Sequence, residues 1–312
     1  MTRPLAALTG STGFLGRHLV RALDRAGYRL RVLVSRADAV FEAAPSDFEM
    51  VVGRLEHSEA LARLADGAEV LVHNAGLIKA VRPADFFLAN AAGARRAAEA
   101  LSPHGRFVLV SSISAREPQL SPYAASKAAG EAAVSKVLAP ERLTIVRPCA
   151  IYGPGDAETL AFFKAVGTLP VLPLPGDAQA RLTMIHGADA AAQIAAVVGQ
   201  APSGAVYTLA DGRPEGYPLK EIMQTVADIL GRRPGFVRAP RSLILAAGAA
   251  GGAMAQLSGK AAFFSLGKAR ELLHADWSVR AQDLPPGAPP AAFDLAAGFA
   301  DSIAWWRARG RL

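Results

Sequence analysis

The sequence contains a single cysteine, and this scarcity excludes several kinds of protein. Cys149 is the only cysteine among 312 residues, so the chain has neither an internal disulfide framework nor a cysteine-rich metal site. The thiol lies in the apolar stretch 145–151, which predicts a buried structural side chain rather than a nucleophile. We therefore predict no metal site.

Runs of basic residues interleaved with aromatic residues are also absent. The formal net charge is +7 at pH 7, but the arginines are scattered along the chain, which argues against a nucleic-acid surface. The charge instead favours anionic ligands in general, such as a phosphate-bearing cofactor. The chain does not open with a charged and then apolar signal segment, so we expect the protein in the cytoplasm.

Long uncharged apolar runs are scarce as well. The apolar segment 243–267 is interrupted by Lys260, and its longest uncharged part, 242–259, is at the lower limit for spanning a bilayer. We expect a pair of helices in the protein core. The alternative is a patch that associates with the cytoplasmic face of a membrane. The cations that would flank such a patch are Arg238, Arg241, Lys260, Lys268 and Arg270.

Short apolar runs alternate with alanine-rich helical patterns over the first 150 residues. This alternation predicts an α/β fold of the Rossmann type, with a doubly wound parallel sheet covered on both faces. The predicted strands are 5–8, 30–34, 70–73, 107–111 and 143–147. The predicted helices are 16–26, 56–65, 90–101 and 123–138.

A glycine-rich turn follows the first predicted strand. Gly10, Gly13 and Gly16 are spaced G-x-x-G-x-x-G where the strand gives way to a helix. Glycine allows a tight turn and close backbone approach, and the N–H groups at a helix start bind a pyrophosphate. The turn therefore predicts a dinucleotide site. Its predicted cofactor contacts are Gly10, Thr12, Gly13, Phe14, Leu15 and Gly16.

Proline and glycine interrupt the pattern beyond Gly153. Such a composition is typical of a smaller, irregular lobe that binds substrate. We expect a dinucleotide-binding domain over residues 1–152 and a substrate-binding lobe over 153–312. A segment near 180–212 is expected to return to the first domain.

The end of the second predicted strand indicates which nicotinamide cofactor is bound. Ser35 and Arg36 stand where an acidic residue would hydrogen-bond the adenosine ribose and repel a 2′-phosphate. A hydroxyl and a guanidinium suit a phosphate monoester. We favour NADP(H). NAD(H) is the alternative, with Arg36 solvated and Asp38 binding the ribose.

Three polar residues form a candidate catalytic set. Ser112 ends the fourth predicted strand, and Tyr123 and Lys127 stand four apart on one helix face. A free phenol titrates near pH ~10. A nearby ammonium and an oxidised nicotinamide are expected to lower that pKa, so that Tyr123 acts as general acid or base while Ser112 holds the same substrate oxygen.

In this order the motifs resemble an extended short-chain dehydrogenase/reductase, the superfamily of nucleotide-sugar epimerases and many ketone reductases. The segment H-N-A-G at 73–76, the helix residue Asn90 and R-P-C-A-I-Y-G-P-G at 147–155 resemble further motifs of that family. His186 and Asp189 resemble its H-x-x-D helix start, a structural element. The likeness is specific over residues 5 to about 190. It implies further cofactor contacts from Leu55, Asn74, Ala75, Gly76, Asn90, Tyr123, Lys127, Pro148 and Ile151.

Two departures from the family narrow the expected chemistry. Dehydratases carry an acidic pair right after the active-site hydroxyl, whereas Ser112 is followed by Ile113, Ser114 and Ala115. This argues against dehydration. The aspartate that usually follows the third strand is replaced by Arg54, so only backbone contacts from Leu55 are expected there.

The apolar character of the second lobe points to an apolar substrate. We therefore expect interconversion of a ketone and a secondary alcohol on a keto lipid, steroid-like or terpenoid molecule, with NADP(H). One alternative is a nucleotide-sugar 4-epimerase or 4-ketoreductase. Another is a non-catalytic dinucleotide-binding protein, against which the complete Ser112, Tyr123 and Lys127 set argues. The helices 90–101 and 123–138 could support a homodimer.

Overall fold

A computed structural model describes residues 3–41, 45, 47–176, 180–202 and 204–312. The strands, in chain order, are β1 (Leu5–Thr9), β2 (Arg29–Val34), β3 (Phe48–Val52), β4 (Val70–His73), β5 (Arg106–Val110), β6 (Leu143–Pro148), β7 (Ala150–Tyr152), β8 (Val171–Pro175), β9 (Arg181–Leu182), β10 (Met184–His186), β11 (Val206–Leu209), β12 (Tyr217–Pro218), β13 (Gly235–Ala239) and β14 (Asp276–Trp277). The helices are α1 (Phe14–Arg25), α2 (Ser58–Ala65), α3 (Pro83–Phe87), α4 (Gly93–Glu99), α5 (Pro122–Ser135), α6 (Ala157–Thr168), α7 (Gly187–Val198), α8 (Leu219–Ile229), α9 (Arg241–Ser258), α10 (Leu266–Leu272) and α11 (Leu295–Arg307).

A seven-stranded parallel sheet occupies the centre of the protein. Its strand order is β3-β2-β1-β4-β5-β6-β11, and each neighbouring pair runs parallel. Alternate side chains of β1 enter two cores: Ala6 and Leu8 lie in the core with α1 and α7, and Leu5 and Ala7 in the core with α2 and α4. Burial on both faces explains the unbroken apolar strands. The predicted Rossmann-type doubly wound fold is confirmed.

All five predicted strands are present, as β1, β2, β4, β5 and β6, with ends shifted by one residue or less. The sequence pattern did not indicate β3 or β11. β3 is an edge strand on which Glu49 and Met50 are exposed, so it has no continuous apolar run. β11 has only four residues, of which Val206 is exposed, and lies within the segment 180–212. The domain boundary at residue 152 stays a prediction.

After β6, the helices α6, α8 and α11 form a separate core around an aromatic cluster, whereas α7 packs on the central sheet. The rings of Tyr152 and Phe163 pack against Phe299 of α11, with centroid distances of 4.8 and 5.5 Å. Small two- and three-stranded sheets complete this part, pairing β7 with β10, β8 with β13, and β9 with β12 and β14. Cys149, between β6 and β7, is buried, as predicted.

Helix α9 corrects one expectation. A helix pair does form from α9 and α10, but α9 is not a core helix. It buries only Ile244, Gly248 and Ala255, while its other face is exposed. Its alanine-rich sequence looked like core because small apolar residues carry no signal that separates a buried face from an exposed one. Among the described residues, no helix is both long and apolar enough to cross a membrane.

Candidate active site

The glycine turn lies at the carboxyl end of β1, next to the end of β4. Gly10 has a φ of 71°, and a Cβ there would lie 2.6 Å from the backbone nitrogen of Ala75. Gly16 lets α1 approach the turn, because its Cβ would lie 2.0 Å from the carbonyl oxygen of Gly10. These two glycines are therefore required by the protein itself.

Gly13 differs from its two neighbours in the motif. A Cβ on Gly13 would lie 3.4 Å from the Gly10 carbonyl oxygen, which is an ordinary van der Waals contact. Thr12 and Gly13 are exposed, and α1 starts at Phe14 without a side-chain cap or an acidic residue in its first turn. An uncapped helix start under an exposed glycine fits an anion such as a pyrophosphate. The residues present thus suit a dinucleotide.

Two hydrogen bonds connect the loop after β1 to the loop after β4. The side-chain amide of Asn74 donates to the carbonyl oxygen of Gly10 at 3.2 Å. The N–H of Ala75 donates to Thr9 Oγ1 at 3.1 Å. Strand order reverses between β1 and β4, and open α/β sheets bind ligands at such a point. The H-N-A-G segment therefore forms one wall of this crevice.

The residues that follow β2 are exposed. Ser35 and Arg36 lie just beyond Val34, the last residue of the strand. The guanidinium of Arg36 donates to both carboxylate oxygens of Asp38, at 3.0 and 2.8 Å. The side chains of this pair are 76% and 69% exposed, so both can be rearranged by a ligand. Arg36, the candidate ligand of the 2′-phosphate, and Asp38, the candidate ligand of the ribose, are thus paired with each other.

Ser112, Tyr123 and Lys127 converge at the carboxyl end of β5. Ser112 caps the 3₁₀ turn Ile113–Arg116, and its hydroxyl accepts from the N–H of Ser114 at 3.2 Å. Tyr123 and Lys127 lie on α5, and the Ser112 hydroxyl acts to lower the pKa of the Tyr123 phenol. The ammonium of Lys127 donates to the carbonyl oxygen of Val110 at 2.8 Å. The structure brings the three predicted residues together.

The pKa values of Tyr123 and Lys127 in the protein without cofactor differ from the expectation. Burial raises the pKa of Tyr123 to about 12, although the hydrogen bond from Ser112 acts in the opposite direction. Burial also lowers the pKa of Lys127 to about 8, against the attraction of Glu131. The expected lowering of the Tyr123 pKa is therefore absent from the protein alone. Near neutral pH the phenol holds its proton, and Lys127 is still mostly charged.

Asn90 lies in a π-helical turn, Leu88–Ala92, between α3 and α4. Its side-chain oxygen accepts from the N–H of Leu77 at 2.7 Å, and its amide donates to the carbonyl oxygen of Leu77 and to Ser126 Oγ. It thereby joins the loop after β4 to α5. π-Helical turns occur frequently at functional sites because they redirect side chains. Its contact with a cofactor stays a prediction.

A partly buried ionic network, centred on Glu131, influences the charge of Lys127. Arg147, at the end of β6, donates to both carboxylate oxygens of Glu131, at 2.9 and 2.5 Å. The Ser111 hydroxyl also donates to this carboxylate. Glu131 lies one helical turn beyond Lys127 on α5, and its charge raises the pKa of Lys127. The arginine of the R-P motif thus acts on the site through Glu131.

The Glu131→Gln substitution is expected to move the alkaline limit of activity. Without the carboxylate, the pKa of Lys127 falls further below about 8, so the ammonium loses its proton at lower pH. The alkaline limb of kcat/KM should therefore move down by roughly one pH unit. A pH–rate profile of the variant against the parent measures this shift.

In the Glu131→Gln variant Arg147 loses its ionic partner, which lowers the stability of the fold. The double variant Glu131→Gln/Arg147→Met removes both charges and serves as the control. It should fold and show a downward shift of the alkaline limb as well. A profile that matches the parent in both variants would show that Glu131 does not act on Lys127.

Glu271 is a site residue that sequence reasoning missed. It lies on α10, its carboxylate accepts a hydrogen bond from the Ser121 hydroxyl, and its charge raises the pKa of Tyr123. Ser121 is the N-cap of α5 and accepts from the N–H of Ala124 at 2.9 Å. Glu271 is 150 residues from Ser121 in sequence and belongs to no motif, so no local signal marks it.

The other predicted residues pack within the fold, and their contact with a cofactor stays a prediction. Leu55 packs on Gly93 of α4, Pro148 ends β6, and Ile151 pairs with Ile185 of β10. His186 is buried with its ring 4.0 Å from that of Phe293, and it caps α7 through the N–H of Ala188, which agrees with a structural role. In the described part of the chain, no group of three His, Cys, Asp or Glu residues is arranged to hold a metal ion.

Comparison with known proteins places the chain in a family. The sequence profile of the NAD-dependent epimerase/dehydratase family matches residues 6–210, about two thirds of the chain. The chain belongs to this family. The protein is therefore an NAD(P)-dependent enzyme of the extended short-chain dehydrogenase/reductase superfamily, and the binding of the cofactor at the glycine turn stays a prediction.

Two relatives of this epimerase/dehydratase-family protein are reductases. A ceramide reductase of Caulobacter vibrioides is 48% identical over 311 residues, which cover 99% of this chain and 96% of the relative. A 4-hydroxy-2-methyl-3-oxo-4-farnesyl-3,4-dihydroquinoline-1-oxide ketoreductase of Stigmatella aurantiaca is 31% identical over 228 residues, covering 66% and 68%. The protein is therefore an oxidoreductase of the epimerase/dehydratase family.

The fold also matches a solved structure of this family. DesIV, a dTDP-glucose 4,6-dehydratase of Streptomyces venezuelae solved with NAD and TYD bound, superposes with a TM-score of 0.73. The match covers 98% of each chain at 22% identity. At this identity the likeness shows a shared fold, while the chemistry depends on the residues of the site.

Proposed function

We propose that this protein uses NADPH to reduce the ketone of a long-chain, N-acylated lipid of the ceramide type. The observation that carries the proposal is the 48% identity to a ceramide reductase across nearly the whole of both chains. The second relative also acts on a ketone, in a molecule that bears a farnesyl chain. Both names agree with the apolar substrate expected from the second lobe.

The protonation states of Tyr123 and Lys127 near neutral pH suit reduction. Burial keeps the pKa of Tyr123 at about 12, so near neutral pH the phenol holds the proton that a ketone oxygen needs as it becomes a hydroxyl. When bound, the nicotinamide supplies the hydride. Ser112 holds the same oxygen in line with Tyr123 through its hydroxyl. Lys127, charged below about pH 8, lies one helical turn from Tyr123 on α5, and its positive charge would favour the ionised phenol after the proton has left.

The network behind α5 fixes these groups. Asn90 joins the loop after β4 to Ser126, and Ser121 caps the helix that carries Tyr123. Lys127 is fixed to the carbonyl oxygen of Val110. Each polar group of the proposed reaction therefore sits on a helix or strand end whose position is set by hydrogen bonds, as effective orientation requires.

Turnover with a set of ketones tests the proposed activity. NADPH consumption should be followed with a 3-keto N-acyl long-chain base, with a simple long-chain ketone and with nucleotide sugars. The sugar products should also be analysed for epimerisation, which consumes no cofactor overall. We expect kcat/KM to be highest for the N-acylated keto lipid. Turnover or epimerisation of a nucleotide sugar, with the lipid unreacted, would instead support a 4-epimerase or 4-ketoreductase.

We also propose that Arg36 and Ser35 bind the 2′-phosphate of NADPH. Their exposure at the end of β2 and the absence of a carboxylate at those two positions support this. Arg36→Ala should weaken NADPH binding by roughly 10–100-fold and NADH binding much less, because a charge-assisted hydrogen bond is lost only with the phosphate. Fluorescence titration with both cofactors measures this.

Asp38→Ala is the matched control for Arg36→Ala, since it breaks the same ion pair from the other side. It frees Arg36 and removes a negative charge near the phosphate, so NADPH affinity should hold or rise. Equal losses for both cofactors in Arg36→Ala would refute the assignment. A selective loss of NADH affinity in Asp38→Ala would show that Asp38 binds the ribose.

A further inference from the structure

Helix α9 presents an apolar stripe that no other part of the described chain covers. Leu243, Ala247, Ala250, Met254 and Leu257 recur at spacings of four and three, so they share one face of the helix. Each is exposed, and the large members Leu243, Met254 and Leu257 are exposed by 61, 70 and 90%. A contiguous exposed stripe of this kind marks an interaction surface.

The chain on either side of the stripe, between Asp228 and Glu271, carries positive charge only. Residues 229–270 contain no aspartate or glutamate. They contain seven exposed cations, which are Arg232, Arg233, Arg238, Arg241, Lys260, Lys268 and Arg270. An exposed apolar helix face with cations around it is the pattern by which amphipathic helices bind anionic membrane surfaces.

The same helix packs on α10, which in turn packs on the start of the helix that carries Tyr123. Gly248 and Gly251 let α9 lie close to α10 and its approach, because Cβ atoms there would lie 2.8 Å from Ala269 Cβ and 2.2 Å from the Phe264 carbonyl oxygen. At the start of α10, a Cβ on Gly267 would lie 2.7 Å from Ser121 Cβ. α9 is thus two close contacts away from the N-cap of the helix that carries Tyr123.

The segment between α9 and α10 also contacts the loop after β4, which carries the H-N-A-G segment. The ammonium of Lys79, from the loop after β4, lies 4.8 Å from the ring centroid of Phe263, which is itself 53% exposed. Lys79 also forms an ion pair with Glu158 of α6. Phe263 therefore places an exposed aromatic ring between the end of α9 and the loop after β4.

We propose that α9 and Phe263 dock on an anionic lipid bilayer, so that a keto lipid reaches Tyr123 directly from the membrane. The substrate part of this inference rests on the proposed lipid reductase function, whereas the docking part rests on α9 alone. A second copy of the chain is a poorer occupant of the stripe. In a two-fold pairing the cations of one copy would face those of the other, without a carboxylate on either α9 to neutralise them.

Vesicle sedimentation of the full chain tests the docking. The wild-type protein should sediment with vesicles of equal parts phosphatidylcholine and phosphatidylglycerol, far less with phosphatidylcholine alone, and less as salt rises. Leu257→Glu should lower binding to the anionic vesicles by about 10-fold or more. Gln256→Glu changes the charge identically at the next, exposed position outside the stripe and should bind close to wild type.

Three results would overturn the docking proposal. These are a wild-type protein that stays in solution with both kinds of vesicle, equal binding by Leu257→Glu and Gln256→Glu, and a Leu257→Glu variant that changes from dimer to monomer while still binding vesicles. The last would assign the stripe to a subunit interface. Because sedimentation requires no turnover, these results do not depend on the reductase function.

The substrate part has its own readout. Leu257→Glu should lower the reduction of a keto lipid embedded in anionic vesicles but leave the reduction of a short-chain, water-soluble analogue unchanged. Equal activity of both variants on the embedded lipid would refute delivery from the membrane. Vesicle binding as expected, without reduction of any ketone, would refute the reductase function and leave the docking surface in place.

Discussion

Tyr123→Phe is expected to lower kcat for ketone reduction by about 10²–10⁴-fold, the usual contribution of a positioned general acid. The phenylalanine ring fills the same space, including the edge-to-face packing against Phe86 at a centroid distance of 6.1 Å. Only the hydroxyl, and with it the proton for the ketone oxygen, is removed. NADPH affinity should change much less than kcat, since the glycine turn and Arg36 are untouched.

Steady-state kinetics with the keto lipid, together with NADPH titration, separate these two effects. Ser112→Ala provides the comparison, because it removes the partner hydroxyl but leaves the proton donor. It should lose less kcat than Tyr123→Phe. A Tyr123→Phe variant that retained full turnover would refute the role of Tyr123 as general acid, and with it the proposed mechanism.

The pH dependence of the parent follows from the same two groups. The phenol, with a pKa of about 12, stays protonated through the neutral range, and the Lys127 ammonium is lost above about pH 8. Reduction should therefore hold at neutral pH and decline above about pH 8, whereas oxidation of the alcohol, which needs the phenolate, gains from rising pH. This asymmetry is a property of the buried site and was not visible in the spacing of Tyr123 and Lys127.

Local patterns predicted most of the central sheet and the residues that meet in its crevice. The five apolar runs became β1, β2, β4, β5 and β6 because strands buried on both faces need unbroken apolar sequence. Gly10 and Gly16 were found because close backbone approach permits no side chain. Ser112 and Tyr123 were found because helix and strand ends place them at fixed positions relative to the sheet.

What the sequence did not reveal depends on contacts between distant segments. Glu271 reaches Ser121 only because α10 packs on the start of α5. The pKa of Tyr123 depends on burial by elements such as these, so in the protein without cofactor it is raised, and the lowering expected with a bound nicotinamide stays a prediction. The exposed stripe of α9 could not be separated from a core face, because apolar residues occupy both the exposed and the buried face of this helix.

The glycine turn offers a second large effect, in which two chemically identical substitutions should have different consequences. Gly16→Ala places a methyl group 2.0 Å from the carbonyl oxygen of Gly10, so α1 or the turn must move. We expect the free energy of unfolding to fall by about 3 kcal/mol, as for an overpacked core position. Chemical denaturation measures this.

Gly13→Ala should instead leave the fold intact and abolish tight cofactor binding. Gly13 has a φ of −70° and a ψ of 171°, which alanine adopts freely, and a methyl group there meets protein only at 3.4 Å. The weaker helix cap and the stiffer unfolded chain have opposite effects on stability, each of about 1 kcal/mol at most. The methyl group would, however, stand over the uncapped start of α1, where the pyrophosphate must approach the N–H groups.

We therefore expect Gly13→Ala to bind NADPH at least ~10-fold more weakly while unfolding at nearly the parental denaturant concentration. NADPH titration and chemical denaturation give a dissociation constant and a free energy of unfolding for each of the two variants, and the prediction concerns how these values differ between them. If Gly13→Ala bound NADPH as tightly as the parent, the cofactor would not use the start of α1. If Gly16→Ala were as stable as the parent, the turn would be able to move, and Gly13 could no longer be assigned from its geometry alone.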